Sequence, residues 1–273
     1  MRHVLILGGS GHLGAALRER ARVGTQITAT HTSRPFCGSL LFRLEDAEPL
    51  PKAAIAIGSF PLARQLEGRS ETEIDDAVRD YIDRCKGARI VQLSTDAVFS
   101  GTDGLYDESD QVNPTTAYGR AQAGVDAALL KYAPDCLIVR TSFIFGWAGK
   151  RFDKRLSQLV QDDAALHMKM WPSNIYRGPT EVNFLAEGIW RAIERGTTGI
   201  LNIAGPRFSI YDFFVKALRE FGSYDMPAPH DEMNDGVARD TSLHTARMER
   251  ELDLKAKEVW EWYRLILQRR DAC

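Results

Sequence analysis

Gly8, Gly11 and Gly14 stand three residues apart at the end of the apolar run Val4-Leu5-Ile6-Leu7, and the helical run Ala15-Ala16-Leu17-Arg18-Glu19-Arg20 follows them. Glycines at this spacing, between a strand and a helix, suit the binding of a dinucleotide pyrophosphate. Gly8 permits a sharp turn, Gly11 lets backbone amides approach a phosphate with no Cβ in the way, and Gly14 lets the helix pack close to the strand. The first residues of the helix, His12 and Leu13 with Gly14, then turn their amides and the positive end of the helix dipole toward the phosphates. A second candidate group closes the next strand, in Thr30-His31-Thr32-Ser33-Arg34. A protein selecting NAD usually places an acid there. The hydroxyls of Thr32 and Ser33 and the guanidinium of Arg34 suit a 2′-phosphate instead, so the expected cofactor is NADP(H) in preference to NAD(H). Asp46, beyond the apolar run Leu40-Leu41-Phe42, is a candidate for the adenine amino group.

Such a turn must hang from a sheet. Gln26–Thr30, Ala53–Ile57, Arg89–Leu93 and Cys136–Arg140 are short apolar runs of the kind buried on both faces of a parallel sheet. Between the middle two, Ile74, Ala77, Val78, Tyr81, Ile82 and Cys85 recur at helical spacing and predict an amphipathic helix. The alternation implies an α/β fold, a doubly wound parallel sheet of Rossmann type. After Gly146 the pattern loosens at Trp171-Pro172, Gly178-Pro179 and Met226-Pro227-Ala228-Pro229-His230, while Gly199–Ala204 reads as one more strand. The expected organisation is a dinucleotide-binding domain over 1–146, rejoined by about 180–205, with a smaller substrate lobe made of 147–179 and 206–273. Val259, Trp260, Tyr263, Ile266 and Leu267 predict the buried face of a last helix.

With 273 residues and 44% hydrophobic content the chain has enough apolar surface for a large core. A formal net charge of −2 gives no electrostatic case for nucleic acid or an anionic membrane. The basic stretch Lys150–Arg155 reads as a solvated helix face or as a greeting for an anionic substrate. Cys37, Cys85, Cys136 and Cys273 are scattered without metal-ligand spacing, so no metal is expected. No apolar run approaches the roughly 20 residues of a membrane span, and the first strand begins at residue 2, which leaves no room for a signal peptide. A reduced, cytoplasmic protein with a small-molecule substrate is the expectation.

The segment Leu93-Ser94-Thr95-Asp96-Ala97-Val98-Phe99-Ser100-Gly101, followed by Pro114-Thr115-Thr116-Ala117-Tyr118-Gly119-Arg120-Ala121-Gln122, resembles the extended short-chain dehydrogenase/reductase superfamily, and within it the branch typified by dTDP-4-dehydrorhamnose reductase. Further pieces match that branch in order: Arg140–Gly146, Gly178-Pro179-Thr180, Gly199–Pro206 and Arg239–Leu243. The resemblance implies a nicotinamide enzyme in which the Thr95 hydroxyl orients a substrate carbonyl or carbinol and the Tyr118 phenol exchanges its proton. It also implies self-association as a homodimer. Asp96 and Arg177 are candidates for substrate contact, Arg177 toward a phosphate, and Trp147, Trp171 and Tyr176 for the wall of a sugar pocket.

The chain departs from the branch where chemistry is most demanding. The pattern Tyr-x-x-x-Lys reads Tyr118-Gly119-Arg120-Ala121-Gln122, and on a helix Gln122 takes the lysine's place, one turn from Tyr118. Glutamine can bind ribose hydroxyls, but it supplies no charge to lower a tyrosine pKa from its reference of about 10. The aromatic that usually follows Thr-Asp is Ala97 here. Three readings stay open. One is an NADPH-dependent reductase of a keto group on a nucleotide-activated sugar or similar polar metabolite, with Gln122 tolerated or compensated by a lysine such as Lys150 or Lys169. Another is a regulatory or assembly subunit that binds the dinucleotide without turnover. The third is an epimerase or dehydratase on the same scaffold.

Overall fold

β1 (Arg2–Leu7) lies at the heart of the molecule because Val4, Leu5, Ile6 and Leu7 are apolar on both faces and all four are buried. A computed structural model describes residues 2–46, 48–149, 151–153, 156, 171–220 and 228–261 of the chain. Around β1 the sheet adds β2 (Thr25–His31), β3 (Leu40–Leu41), β4 (Ile55–Gly58), β5 (Arg89–Thr95), β6 (Leu137–Thr141) and β7 (Gly199–Asn202). Their spatial order is β7-β6-β5-β4-β1-β2-β3, and every neighbouring pair is parallel. The order reverses between β1 and β4. That switch point, at the carboxyl ends of the strands, is where open α/β sheets bind ligands.

Each strand feeds two cores by alternation. Val4, Ile6, Ile55, Ile57, Val91, Leu137 and Val139 face one side, while Leu5, Leu7, Ala56, Ile90 and Ile138 face the other. The first side is covered by α1 (His12–Glu19) and, from the second half of the chain, by α5 (Val182–Glu194), α6 (Ile210–Glu220) and α7 (Ala246–Leu252). The second side is covered by α2 (Leu62–Gln65), α3 (Glu71–Arg84) and α4 (Ala117–Tyr132). α3 starts at a capping box, with the Ser70 and Glu73 side chains each accepting or donating across the first turn, and it buries Ile74, Val78 and Tyr81 along one stripe. α4 starts at Thr116, whose hydroxyl accepts the Gly119 amide at 3.0 Å.

Residues of the second half weave back onto the nucleotide-binding half. Short pairs join Thr180–Glu181 to Ile144–Phe145 and Tyr176–Arg177 to Phe208–Ser209. Trp190 on α5 donates its indole N–H to the Leu17 carbonyl on α1 at 3.1 Å. Arg22 spans Glu187 at 3.0 Å and Glu194 at 2.9 Å. Among the described residues, no helix is long and apolar enough to cross a membrane. The predicted last helix is described only to Glu261, with Val259 and Trp260 buried, and Tyr263, Ile266 and Leu267 lie outside the described residues.

Candidate active site

The glycine turn is built as its spacing predicts. Gly8 adopts φ +82°, in the left-handed region that glycine alone occupies freely, and its carbonyl accepts the Gly11 amide at 2.8 Å. A Cβ on Gly14 would lie 2.2 Å from the Gly8 carbonyl oxygen, so only glycine lets α1 start this close to β1. Gly11 differs. Its Cβ would meet only the Gly8 oxygen, at 3.1 Å, which leaves that face of the turn open to the outside. α1 begins here with no side-chain cap, and His12 and Leu13 form its first turn, Leu13 with its side chain buried. Open glycine backbone at an uncapped helix start fits a pyrophosphate.

Thr32, Ser33 and Arg34 follow β2 in an exposed segment, with the Thr32 hydroxyl donating to the Phe42 carbonyl at 3.2 Å. Arg18, unremarked in the sequence, lies between this segment and the turn: its Nε donates to the Gly9 carbonyl at 3.1 Å and its guanidinium lies 3.9 Å above the Phe36 ring. Asp46 accepts the Arg43 amide at 3.1 Å and lines a surface cleft with Leu44, Pro49, Asp83 and Arg84.

Thr95 ends β5 and Tyr118 sits in the first turn of α4, and the two side chains meet. They line one open cavity of about 500 Å³ with Asp96, Ser142, Arg177 and Arg64, walled on the apolar side by Phe143, Ile144, Ile210 and Phe214. The Thr95 hydroxyl faces the same cavity as the phenol of Tyr118, donates to Asp96 Oδ1 at 3.1 Å and accepts the Ala97 amide at 3.2 Å. Burial pushes the Tyr118 phenol above its ordinary pKa of 10.0, against the pull of Arg64 and Thr95, so it is protonated at neutral pH and able to donate.

Asp96 is buried and gathers hydroxyls: Ser142 donates to it at 2.6 Å and Thr241 at 2.9 Å, besides Thr95. Burial raises its pKa while these donors and the nearby Arg177 lower it. Its carboxylate thereby ties β5, β6 and the Arg239–Leu243 segment together beneath the cavity. Arg177 spends its fork on the carbonyls of Tyr176 at 2.7 Å, Ala238 at 3.0 Å and Arg239 at 3.3 Å while still lining the cavity.

Gln122 is buried and turned inward. Its Nε2 donates to Asp126 Oδ1 at 2.9 Å, one turn further along α4. Asp126 also accepts from Ser94 Oγ at 2.8 Å and from Arg140 Nε at 3.4 Å, all four groups being buried. The amide in the lysine's place is therefore anchored to a structural cluster and carries no charge toward Tyr118.

The model of the RmlD substrate binding domain matches residues 71–268, which include Thr95, Tyr118, Gln122 and the segments that close the cavity. The chain belongs to the RmlD substrate binding domain family. A dTDP-4-dehydrorhamnose reductase of Salmonella typhimurium is 30% identical over 207 residues, covering 70% of this chain and 67% of that one. Among solved structures, a hypothetical dTDP-4-dehydrorhamnose reductase from Sulfolobus tokodaii superposes with a TM-score of 0.75 at 26% identity, covering 93% of this chain and 96% of that one. The Bacillus anthracis dTDP-4-dehydrorhamnose reductase in complex with NADP shares the fold, with a TM-score of 0.74 at 20% identity over 97% of this chain and 99% of that one.

Within this member of the family, several candidates sit elsewhere than the sequence suggests. Trp147 packs against the core, and its carbonyl accepts the Asn183 side-chain amide at 2.5 Å; it is not among the cavity-lining residues. Trp171 is buried behind Phe214, with ring centroids 4.8 Å apart, and Tyr176 carries Arg207 3.5 Å above its ring. Phenylalanines and isoleucines form the apolar wall in their place. Lys150, Lys154, Arg155 and Lys169 lie outside the described residues, while Arg151–Phe152 of the basic stretch pair antiparallel with Trp147–Ala148 as a short strand and not as a helix face. The residues missed are Arg18, Ser142, Thr241 and Arg64. Arg64 had no periodic signal, because its helix is a single turn between Pro61 and Leu66.

Proposed function

We propose that this protein is an NADPH-dependent reductase of a keto group on a nucleotide-activated sugar. The observation that carries this reading is the meeting of Thr95 and Tyr118 in one cavity at the carboxyl edge of the sheet, with only β4 between the strand that ends at Thr95 and the strand of the glycine turn. The names of the Salmonella and Sulfolobus relatives, and the NADP held by the Bacillus anthracis structure, support it.

The first turn of α1 and the glycines before it would hold the pyrophosphate, with Arg34 and Arg18 near the 2′-phosphate. When bound, a reduced nicotinamide supplies the hydride to the carbonyl carbon. Thr95 orients the carbonyl oxygen. Tyr118 transfers its phenolic proton to that oxygen as the new C–H bond forms, which yields the alcohol, and the phenolate recovers a proton from water. Asp96, held by three hydroxyls, keeps Thr95 in place, and Arg177 lines the side of the cavity where a sugar-nucleotide phosphate would lie. Gln122 favours a second reading, a dinucleotide-binding protein without turnover, because it withholds the charge that helps a phenol ionise.

NADPH consumption with dTDP-4-dehydrorhamnose and other keto-sugar nucleotides tests the proposal. Expected results are tighter binding of NADPH than of NADH, measurable turnover, and a loss of about 10²- to 10⁴-fold in kcat with little change in KM for Tyr118→Phe. Undiminished kcat in that variant would overturn the assignment of the proton. Tight NADPH binding with no turnover across the panel would favour the second reading.

A further inference from the structure

The inward turn of Gln122 leaves Tyr118 without a cation from its own helix, yet one reaches it from another. Arg64 projects from α2, whose Leu62 and Ala63 are buried in the core and fix the orientation of this single turn. Its guanidinium carbon lies 4.3 Å from the centroid of the Tyr118 ring, and both residues line the Thr95 cavity. Building on the reductase reading, we propose that Arg64 is a positioning residue that supplies, from α2, the positive charge the Tyr-x-x-x-Lys pattern places on α4, and so stabilises the phenolate that develops on Tyr118 during proton transfer.

The charges facing Tyr118 decide whether this works. Asp96, beside the end of β5, and Asp126, on α4, both oppose ionisation of the phenol, while Arg64 and the Thr95 hydroxyl favour it. Arg140 faces Asp126, and Arg177 faces Asp96 while its own donors are spent on three carbonyls. Glu67 pairs with Arg64 at 3.2 Å, with side-chain exposures of 34% and 61%. Water screens so exposed a pair, so Glu67 does not neutralise the guanidinium, and the ring in contact with it feels a charge that water also weakens. A cation over a neutral phenol gains only from the ring quadrupole, whereas over a phenolate it gains a full Coulomb attraction. The interaction therefore strengthens as the proton leaves, which is the condition for accelerating the step. Arginine suits the position because it stays charged at every relevant pH and stacks flat on an aromatic face.

The test reads the phenol itself and so does not depend on turnover. Alkaline difference titration of the wild type against Tyr118→Phe isolates the ionisation of Tyr118, and the same difference is taken in the Arg64→Gln and Arg64→Lys backgrounds. Arg64→Gln is expected to move the Tyr118 midpoint upward by about one pH unit and to lower kcat about 10-fold at pH 7 with KM within about twofold, and Arg64→Lys to recover most of both. An unchanged midpoint in Arg64→Gln overturns the proposal even if the wild type reduces keto-sugars. A midpoint raised by Arg64→Gln, in a protein whose wild type turns nothing over, upholds the action of Arg64 on the phenol and overturns the reductase reading. Loss of kcat with an unmoved midpoint, unrescued by lysine, assigns Arg64 to packing and overturns the proposal.

Discussion

Asp126 holds Gln122 by its amide and Arg140 by its guanidinium, and this decides what a charge at position 122 can do. An ammonium there stands one helical turn from both Asp126 and Tyr118, so part of its field is spent on the carboxylate. It would also repeat a task that Arg64 already performs. Gln122→Lys is accordingly expected to raise kcat only about threefold in the wild type but about 10-fold in the Arg64→Gln background, a coupling that a double-mutant cycle measures. Equal effects in the two backgrounds would show that the two positions do not share a task. The pairing of Thr95 with Tyr118 was legible from motif order alone, since each residue keeps its place in its run even though Ala97 and Gln122 depart from the pattern around them. The replacement of the lysine at Gln122 was legible too. Its compensation was not, because Arg64 and Tyr118 are brought together only by the packing of α2 on α4, and no sequence spacing encodes that contact.

At the scale of elements, α5 begins on a buried acid. Glu181 is fully buried, and its side chain accepts the amides of Asn183 and Phe184, each at 2.8 Å, as the helix cap. Burial nevertheless pushes its carboxyl from 4.5 up to about 7, with these hydrogen bonds and the nearby Arg20 pulling the other way. The folded state thus holds this proton more tightly than the unfolded chain does. The stability it contributes is full below pH 4.5 and is lost as pH rises toward 7, about 3 kcal/mol across the window at 1.36 kcal/mol per unit. Glu181→Gln keeps an oxygen for the two amides and removes the titration, so its urea midpoint should fall less than that of the wild type between pH 5 and 7.5. Parallel pH profiles would place the carboxyl at its ordinary value. The cap itself lay hidden in the sequence, where Gly178-Pro179-Thr180 read as a motif and not as the approach to a helix. The sheet strands were legible because their apolar runs are continuous. Their ends were less so: Ala53 and Ala54 precede the paired part of β4, and the last strand leaves the sheet after Asn202 and not at Ala204. The two-residue pairs around the cavity carry no period at all, so only tertiary packing defines them.

At the scale of the whole molecule, the division of the chain into a nucleotide-binding stretch and a later lobe does not divide the core. Val4, Ile6, Leu13, Leu17, Val91, Leu137 and Val139 of the first 146 residues pack in one cluster with Val182, Phe184, Leu185, Ile189, Trp190 and Phe213. β7 completes the sheet beside β6, and Arg22 and the Leu17 carbonyl bind α5 directly. Removing everything after residue 146 would uncover that face of the sheet and of α1. Each large side chain returned to water costs about 1.5 to 3 kcal/mol, and a few of them exceed the roughly 5 to 15 kcal/mol by which a domain is stable. The full chain should therefore unfold in one cooperative transition, and the fragment 1–146 should lack near-ultraviolet circular dichroism and fall quickly to protease. The catalytic candidates follow the same logic. Thr95 and Tyr118 come from the first half of the chain, but Asp96 is held partly by Thr241, and the cavity wall needs Ile210 and Phe214. A fragment 1–146 that melts cooperatively on its own and still binds NADPH would show that the later residues only shape the substrate side. Failure of the fragment to bind NADPH, with binding restored when the remaining residues are co-expressed, would place the nucleotide site under the control of the shared core.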